Sequence, residues 1–138
     1  MDEHDRHDVA ALPDLVPLVH RAEGFASVVA SLERNAPARI DGTWGSACAL
    51  SAAALSKRSP RLLLVVLPRP GEVDDFAADV AGFLGSAVEV FPAWERLPEE
   101  YDVADAVFGR RLRVLQTLER LAAAERGALQ SRAVSART

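Results

Sequence analysis

The chain has 138 residues, room for one ordinary domain and too little for two. With 49% hydrophobic and 26% charged residues it is too apolar to be disordered throughout. Its one cysteine, Cys48, excludes an intrachain disulfide framework and a Cys-rich zinc site.

No apolar run approaches the ~18 residues a membrane helix needs, and the first residues, Met1-Asp2-Glu3-His4-Asp5, are acidic where a secretory signal is basic. A cytoplasmic protein without membrane contact is expected. The net charge of −4 is mild, but its distribution is uneven. Residues 72–105 hold ten acids and one base, a net of −9, and residues 106–138 hold seven arginines and two glutamates, a net of +5. The second region can meet a nucleic acid and the first repels one. The plainer reading is an amphipathic helix with a solvated basic face.

In chain order, residues 1–24 are expected to be a disordered or extended lead-in, with residues 12–19 and their two prolines extended or a short helix. His4 and His7 with Asp5 and Asp8 have metal-ligand chemistry, but a floppy terminus does not preorganise ligands. Phe25, Val28, Val29 and Leu32 make one apolar stripe, predicting a helix over 25–34 that Pro37 stops. Residues 38–42 fit a short strand edge turning at Gly42. The alanine-rich stretch 46–57 predicts a second helix. Arg61 to Leu67 is a continuous apolar run closed by Pro68, the signature of a strand buried on both faces. A helix over 72–84 follows, stopped by Gly85, and then a strand over 87–91 ended by Pro92. After a long acidic connection the longest helix is predicted over 105–124. Phe108, Leu112, Leu115, Leu118 and Ala122 form its expected buried stripe, and Gly127 its stop.

Alternating helices and strands predict an α/β fold, a small parallel sheet flanked by helices. The α/β domain is expected over 25–126, with a frayed tail over 127–138. That tail is too polar for the further central strand the pattern wants, so the domain reads as incomplete. An incomplete sheet leaves an exposed edge and favours self-association.

Three stretches can carry chemistry. Gly42-Thr43-Trp44-Gly45-Ser46-Ala47-Cys48-Ala49 occupies the place of a phosphate-binding loop between strand and helix. Cys48 stands where the phosphate-reaching lysine belongs, Ala49 where the magnesium-holding hydroxyl belongs, and Ala47 where the second glycine belongs. The loop is thus degenerate, and no bound nucleotide is expected. Cys48, near a helix start, has a nucleophile's placement; a small residue packing helix on sheet is the plainer role. In Phe91-Pro92-Ala93-Trp94-Glu95-Arg96-Leu97-Pro98, Glu95 and Glu99 are paired carboxylates. Trp94, Leu97 and the prolines instead suit a rigid, packed or partner-contacting loop. Arg110, Arg111 and Arg113 can touch phosphates or pair with nearby acids.

Phe91-Pro92, Trp94-Glu95 and Leu97-Pro98, followed by Arg111-Leu112, Leu115 and Leu118, resemble a segment in the N-terminal module of bacterial transcription-repair coupling factors (Mfd). That module is similar to UvrB, the damage-recognition subunit of the excision nuclease. UvrB keeps a working phosphate loop, whereas the coupling factor's copy has lost its lysine, as here. The resemblance runs from about Phe25 to Ala124. Glu99 and Glu100 depart from it, since the family commonly has an aromatic and an Asp there, and so does the tail. It implies a RecA-like, UvrB-like α/β domain that catalyses nothing itself and takes no cofactor. The parent protein couples stalled RNA polymerase to nucleotide excision repair through UvrA and an ATP- and magnesium-dependent DNA translocase. The translocase, the polymerase-binding domain and the domain with the main UvrA contact all lie outside this chain, so the resemblance assigns no residue here to that contact. The chain is expected to be a fragment acting as scaffold, with Trp94, Glu95, Leu97, Arg110, Arg111 and Arg113 as partner or domain contacts. The alternatives are a nucleotide-binding enzyme domain with a non-standard loop (Gly42, Gly45, Ser46, Cys48, Ala49), the excision nuclease subunit UvrB itself, and a free-standing truncated protein.

Overall fold

Helices form where periodic apolar residues meet a start or stop signal. The computed structural model describes residues 9–59, 62–94 and 106–135. Its helices are α1 (Leu15–Arg21), α2 (Phe25–Glu33), α3 (Ser46–Arg58), α4 (Val73–Leu84) and α5 (Ala106–Ser135), with short 3-10 turns at Leu12–Asp14 and Pro70–Glu72. Gly24, at φ +83°, allows the bend before α2. Gly85, at φ +67°, closes α4 in the left-handed conformation, and its N–H donates to the Ala81 carbonyl at 2.9 Å.

The chain divides into a unit over residues 1–88 and a second over 89–138. The first has its core where α3 meets α1 and α4. Ala49, Ala52, Ala53 and Ala54 of α3 are buried with Val16 of α1, Phe25 of α2, and Val80 and Phe83 of α4. Small residues on α3 let the neighbouring helices approach closely. Gly82 of α4 continues this pattern, since a Cβ there would stand 3.3 Å from a Leu12 methyl. The His20 Nε2–H donates to the Ala54 carbonyl at 2.9 Å, and its ring lies 5.4 Å from that of Phe25. That one side chain ties the end of α1 to α3 and to the start of α2. Of the two forms open to residues 12–19, the lead-in takes the helical one, over 12–21, and it supplies a core residue, Val16.

The predicted α/β architecture is overturned. Among the described residues there is no strand and no sheet, and hence no RecA-like or UvrB-like layer and no strand-borne phosphate loop. The stretches 38–42, 62–67 and 87–91 are all irregular. A helix closes its hydrogen bonds within itself, whereas a strand obtains them only from a neighbour. The backbone groups of residues 62–67 bond to no other described backbone group. Their side chains are equally unlike a strand buried on both faces. Leu62 is 62% exposed, Leu64 75% and Val66 81%.

Two expectations about α5 also fail. Gly127 does not stop it; the helix continues to Ser135. One interior glycine costs only about 1 kcal/mol against alanine, and the following residues include alanine, leucine, glutamine and arginine, all good helix formers. Nor is the predicted stripe buried as a whole: Phe108, Leu112 and Leu115 are exposed, Leu118 and Ala122 are half-buried, and Val114, on another face, is the buried residue of α5 among those described.

Among the described residues no single helix is long and apolar enough to cross a membrane. The pair spanning Leu12–Arg21 and Phe25–Glu33 passes on length and composition only when taken together, and it is bent by 81°. Its Val16 and Phe25 are spent on the core.

The alanine face makes a quantitative prediction. Ala53 is fully buried, so Ala53→Leu overpacks the junction of helices and should cost about 1–3 kcal/mol. Ala47→Leu, on the exposed side of α3, should stay within about 0.5 kcal/mol of the parent. Urea titration followed by far-UV circular dichroism compares the two.

Candidate functional site

The loop before α3 is built for a turn. Gly42 (φ +77°) and Gly45 (φ +53°) both occupy positive-φ positions, and Gly45 is the N-cap of α3 without a side-chain cap. Ser46 opens the helix and is exposed; Cys48 is half-buried. The Ala47 N–H donates to the Trp44 carbonyl at 3.1 Å, and the Cys48 N–H to the Gly45 carbonyl at 3.0 Å. Two amides that would cradle an anion therefore already have backbone partners. Ala49, at the position of the metal-holding hydroxyl, is in the core. Trp44 stands out at 83% exposure. Among the described residues no three His, Cys, Asp or Glu side chains gather as a metal site would require.

The second unit holds a better-built constellation. The Arg111 guanidinium lies 3.9 Å from the centre of the Phe91 ring and 4.5 Å from that of Trp94. Its Nη1 donates to the Pro92 carbonyl. Trp94 in turn stacks with Phe108, ring centres 6.4 Å apart and planes 28° from parallel. Phe108 and Arg111 are three residues apart on α5 and so share a helix face. One arginine thus holds residues 91–94 against the first turns of α5 by two cation–π contacts and a charge-assisted hydrogen bond. Lysine is a poor replacement, because its ammonium can sit over one ring but lacks the planar guanidinium that stacks on two rings while donating to a carbonyl.

This arrangement covers Arg111 but leaves its aromatic partners half open. Trp94 is 44% exposed and Phe108 49%. Leu112 and Leu115 extend that apolar strip along α5. Arg110 and Arg113 are exposed on other faces of the same turns. Of the residues predicted as contacts, the structure joins Trp94 and Arg111, and it places Arg110 and Arg113 beside them on α5. Glu95 and Leu97 lie outside the described residues, as do the acids expected to pair with these arginines.

Part of this chain resembles a transcription-repair-coupling factor. Over 55 residues it is 47% identical to the proteins of that name from Mycobacterium bovis and Mycobacterium tuberculosis. The matched stretch is 40% of this chain and 4% of each relative. The chain therefore corresponds to a small part of those proteins. No protein-family model matches the sequence, and no solved structure matches it.

Sequence reasoning singled out the Phe91–Trp94 segment and the arginine cluster, but as separate features. It missed their junction through Arg111, and it assigned Phe108 to a buried stripe. The readable signal was the i, i+3 spacing of Phe108 and Arg111, just after a segment with two aromatic rings.

The clamp is testable by fluorescence. In a Trp44→Phe background Trp94 is the sole tryptophan and is excited selectively over the one tyrosine. Arg111→Ala removes both ring contacts and the bond to Pro92, a loss of about 1–3 kcal/mol. Trp94 emission should shift to the red and become more accessible to acrylamide. Arg111→Lys should restore little of either change. Unchanged quenching in both variants would refute the clamp.

Proposed function

We propose that this chain is a non-catalytic interaction module of a transcription-repair coupling factor. One observation carries this reading: the Arg111 clamp presents aromatic and leucine side chains outward beside exposed arginines, a composition suited to partner contact. The partial identity with the mycobacterial coupling factors supports the repair context. The expected partners are UvrA and other domains of the same protein, with RNA polymerase and DNA reached through the parent, in the cytoplasm. Hydrolysis of ATP belongs to parts of the parent outside this chain. In support, the loop before α3 offers neither lysine nor a free hydroxyl at the phosphate-binding positions, and two of its amides already have partners.

Two measurements test the proposal. The first is a thermal melt with and without Mg-ATP, where no change in Tm is expected. A ligand at a hundred times its Kd stabilises the folded state by about 2.7 kcal/mol, so a shift of several degrees would overturn the nucleotide-free reading. The second is titration calorimetry of the chain against purified UvrA. Binding is expected, and Trp94→Ala should weaken it by roughly 30-fold, the loss of a contact worth about 2 kcal/mol. Absence of binding, or binding indifferent to Trp94, would refute this surface as a UvrA contact.

A further inference from the structure

The sequence Leu62-Leu63-Leu64-Val65-Val66-Leu67 combines three properties in the first unit. It is rich in β-branched and leucine side chains and carries no charge, proline or glycine. Its backbone N–H and C=O groups bond to no other described backbone group. Its exposure alternates in degree: Leu62, Leu64 and Val66 are 62%, 75% and 81% exposed, Val65 between them is less so at 43%, and Leu63 and Leu67 are half-buried. Alternation at period two is that of a strand lying with one face on its own protein. The segment is thus a sheet edge without a sheet among the described residues, its hydrogen-bonding groups unpaired there and an apolar face exposed.

We propose that this segment pairs with the same segment of a second copy, antiparallel and centred on Leu64, to make a two-stranded intermolecular sheet. Self-pairing suits it for three reasons. A two-fold contact requires a patch complementary to itself, and an uncharged run opposes no like charges. Centring on Leu64 keeps each exposed side chain on one face of the pair, with Leu62 opposite Val66 and Leu64 opposite Leu64. A shift by one residue would oppose the most exposed positions to the less exposed ones. The flanking charge also fits. Arg61, just before the run, falls opposite Leu67 and not opposite another charge in this register, and Arg69, just past it, is already held by Glu72 of its own copy at 2.7 Å, which lessens repulsion between the copies. The prolines on either side, Pro60 and Pro68, limit the pairing to these residues.

The test is light scattering after size-exclusion chromatography of the full chain across a concentration series. The mass should rise toward twice that of one chain. Leu64→Lys should weaken the dimer at least tenfold, and Leu115→Lys, on the exposed strip of α5, should not. Register is read by cysteine crosslinking in a Cys48→Ser background under mild oxidation. Opposed residues in an antiparallel pair stand within disulfide range. Leu64→Cys should crosslink to itself, Leu62→Cys alone should not, and Leu62→Cys with Val66→Cys should. These cysteine variants also decide the question should Leu64→Lys lose its helical circular dichroism. A chain that stays monomeric throughout would overturn the proposal. So would a dimer that survives Leu64→Lys or is lost with Leu115→Lys, and so would self-crosslinking strongest at Leu62→Cys.

Discussion

The close approach permitted by the alanines of α3 is the constraint on which the first unit depends. Ala49, Ala52, Ala53 and Ala54 give α3 a nearly flat buried face, and α1 and α4 settle against it. Flat faces pack closely but bury little apolar area per residue. The bulk comes from the partners: Val16, Phe25, Val80 and Phe83 fill the space the alanines leave. His20 adds direction, because its hydrogen bond to the Ala54 carbonyl fixes where α1 ends along α3. Shape and one directional bond, more than a large apolar mass, set this core.

A core of that kind leaves much apolar surface unused. Leu62, Leu64 and Val66 in the first unit, and Phe108, Leu112 and Leu115 in the second, are exposed although each is as apolar as anything inside. Both groups belong to regions that the sequence marks as buried. One is a continuous run that looks like a central strand. The other is a stripe that looks like the inner face of a helix. In each the local pattern is sound and the covering surface is absent among the described residues.

That contrast explains what was legible. Helices α2, α3 and α4 were readable almost to the residue because periodicity, proline and glycine stops and alanine content act within a few positions of one another. Residues 62–67 and 87–91 were misread as paired strands because pairing depends on residues far away, and no apolar pattern guarantees it. Helix α5 was found, but its buried face was misplaced. Its arginines and leucines leave two apolar faces, one with Val114 and one with Phe108, and only packing chooses between them. The site was half legible. The Phe91–Trp94 segment and Arg111 stood out as unusual residues, yet a guanidinium between two rings is a three-dimensional fact with a separation of about twenty residues.

The Arg111 clamp shows how a chain of this composition can make a defined surface without a sheet. A guanidinium needs donors satisfied and a planar neighbour on its face, and Phe91, Pro92 and Trp94 supply both from one short irregular segment. Because the segment docks through backbone and rings, its geometry does not rest on regular secondary structure. The rings face Arg111 on one side and remain half open on the other. Desolvating that open side is where a partner would gain most, since an aromatic ring already held in place loses little conformational freedom on binding. Arg110 and Arg113 stay exposed on other faces of the same helix, where their charge can favour an acidic partner's approach without being buried. Rigidity comes from Arg111, contact area from Trp94 and Phe108, and long-range attraction from the two outer arginines. The division of labour follows from burial: the one arginine of the three that is part-buried is the one that builds the surface.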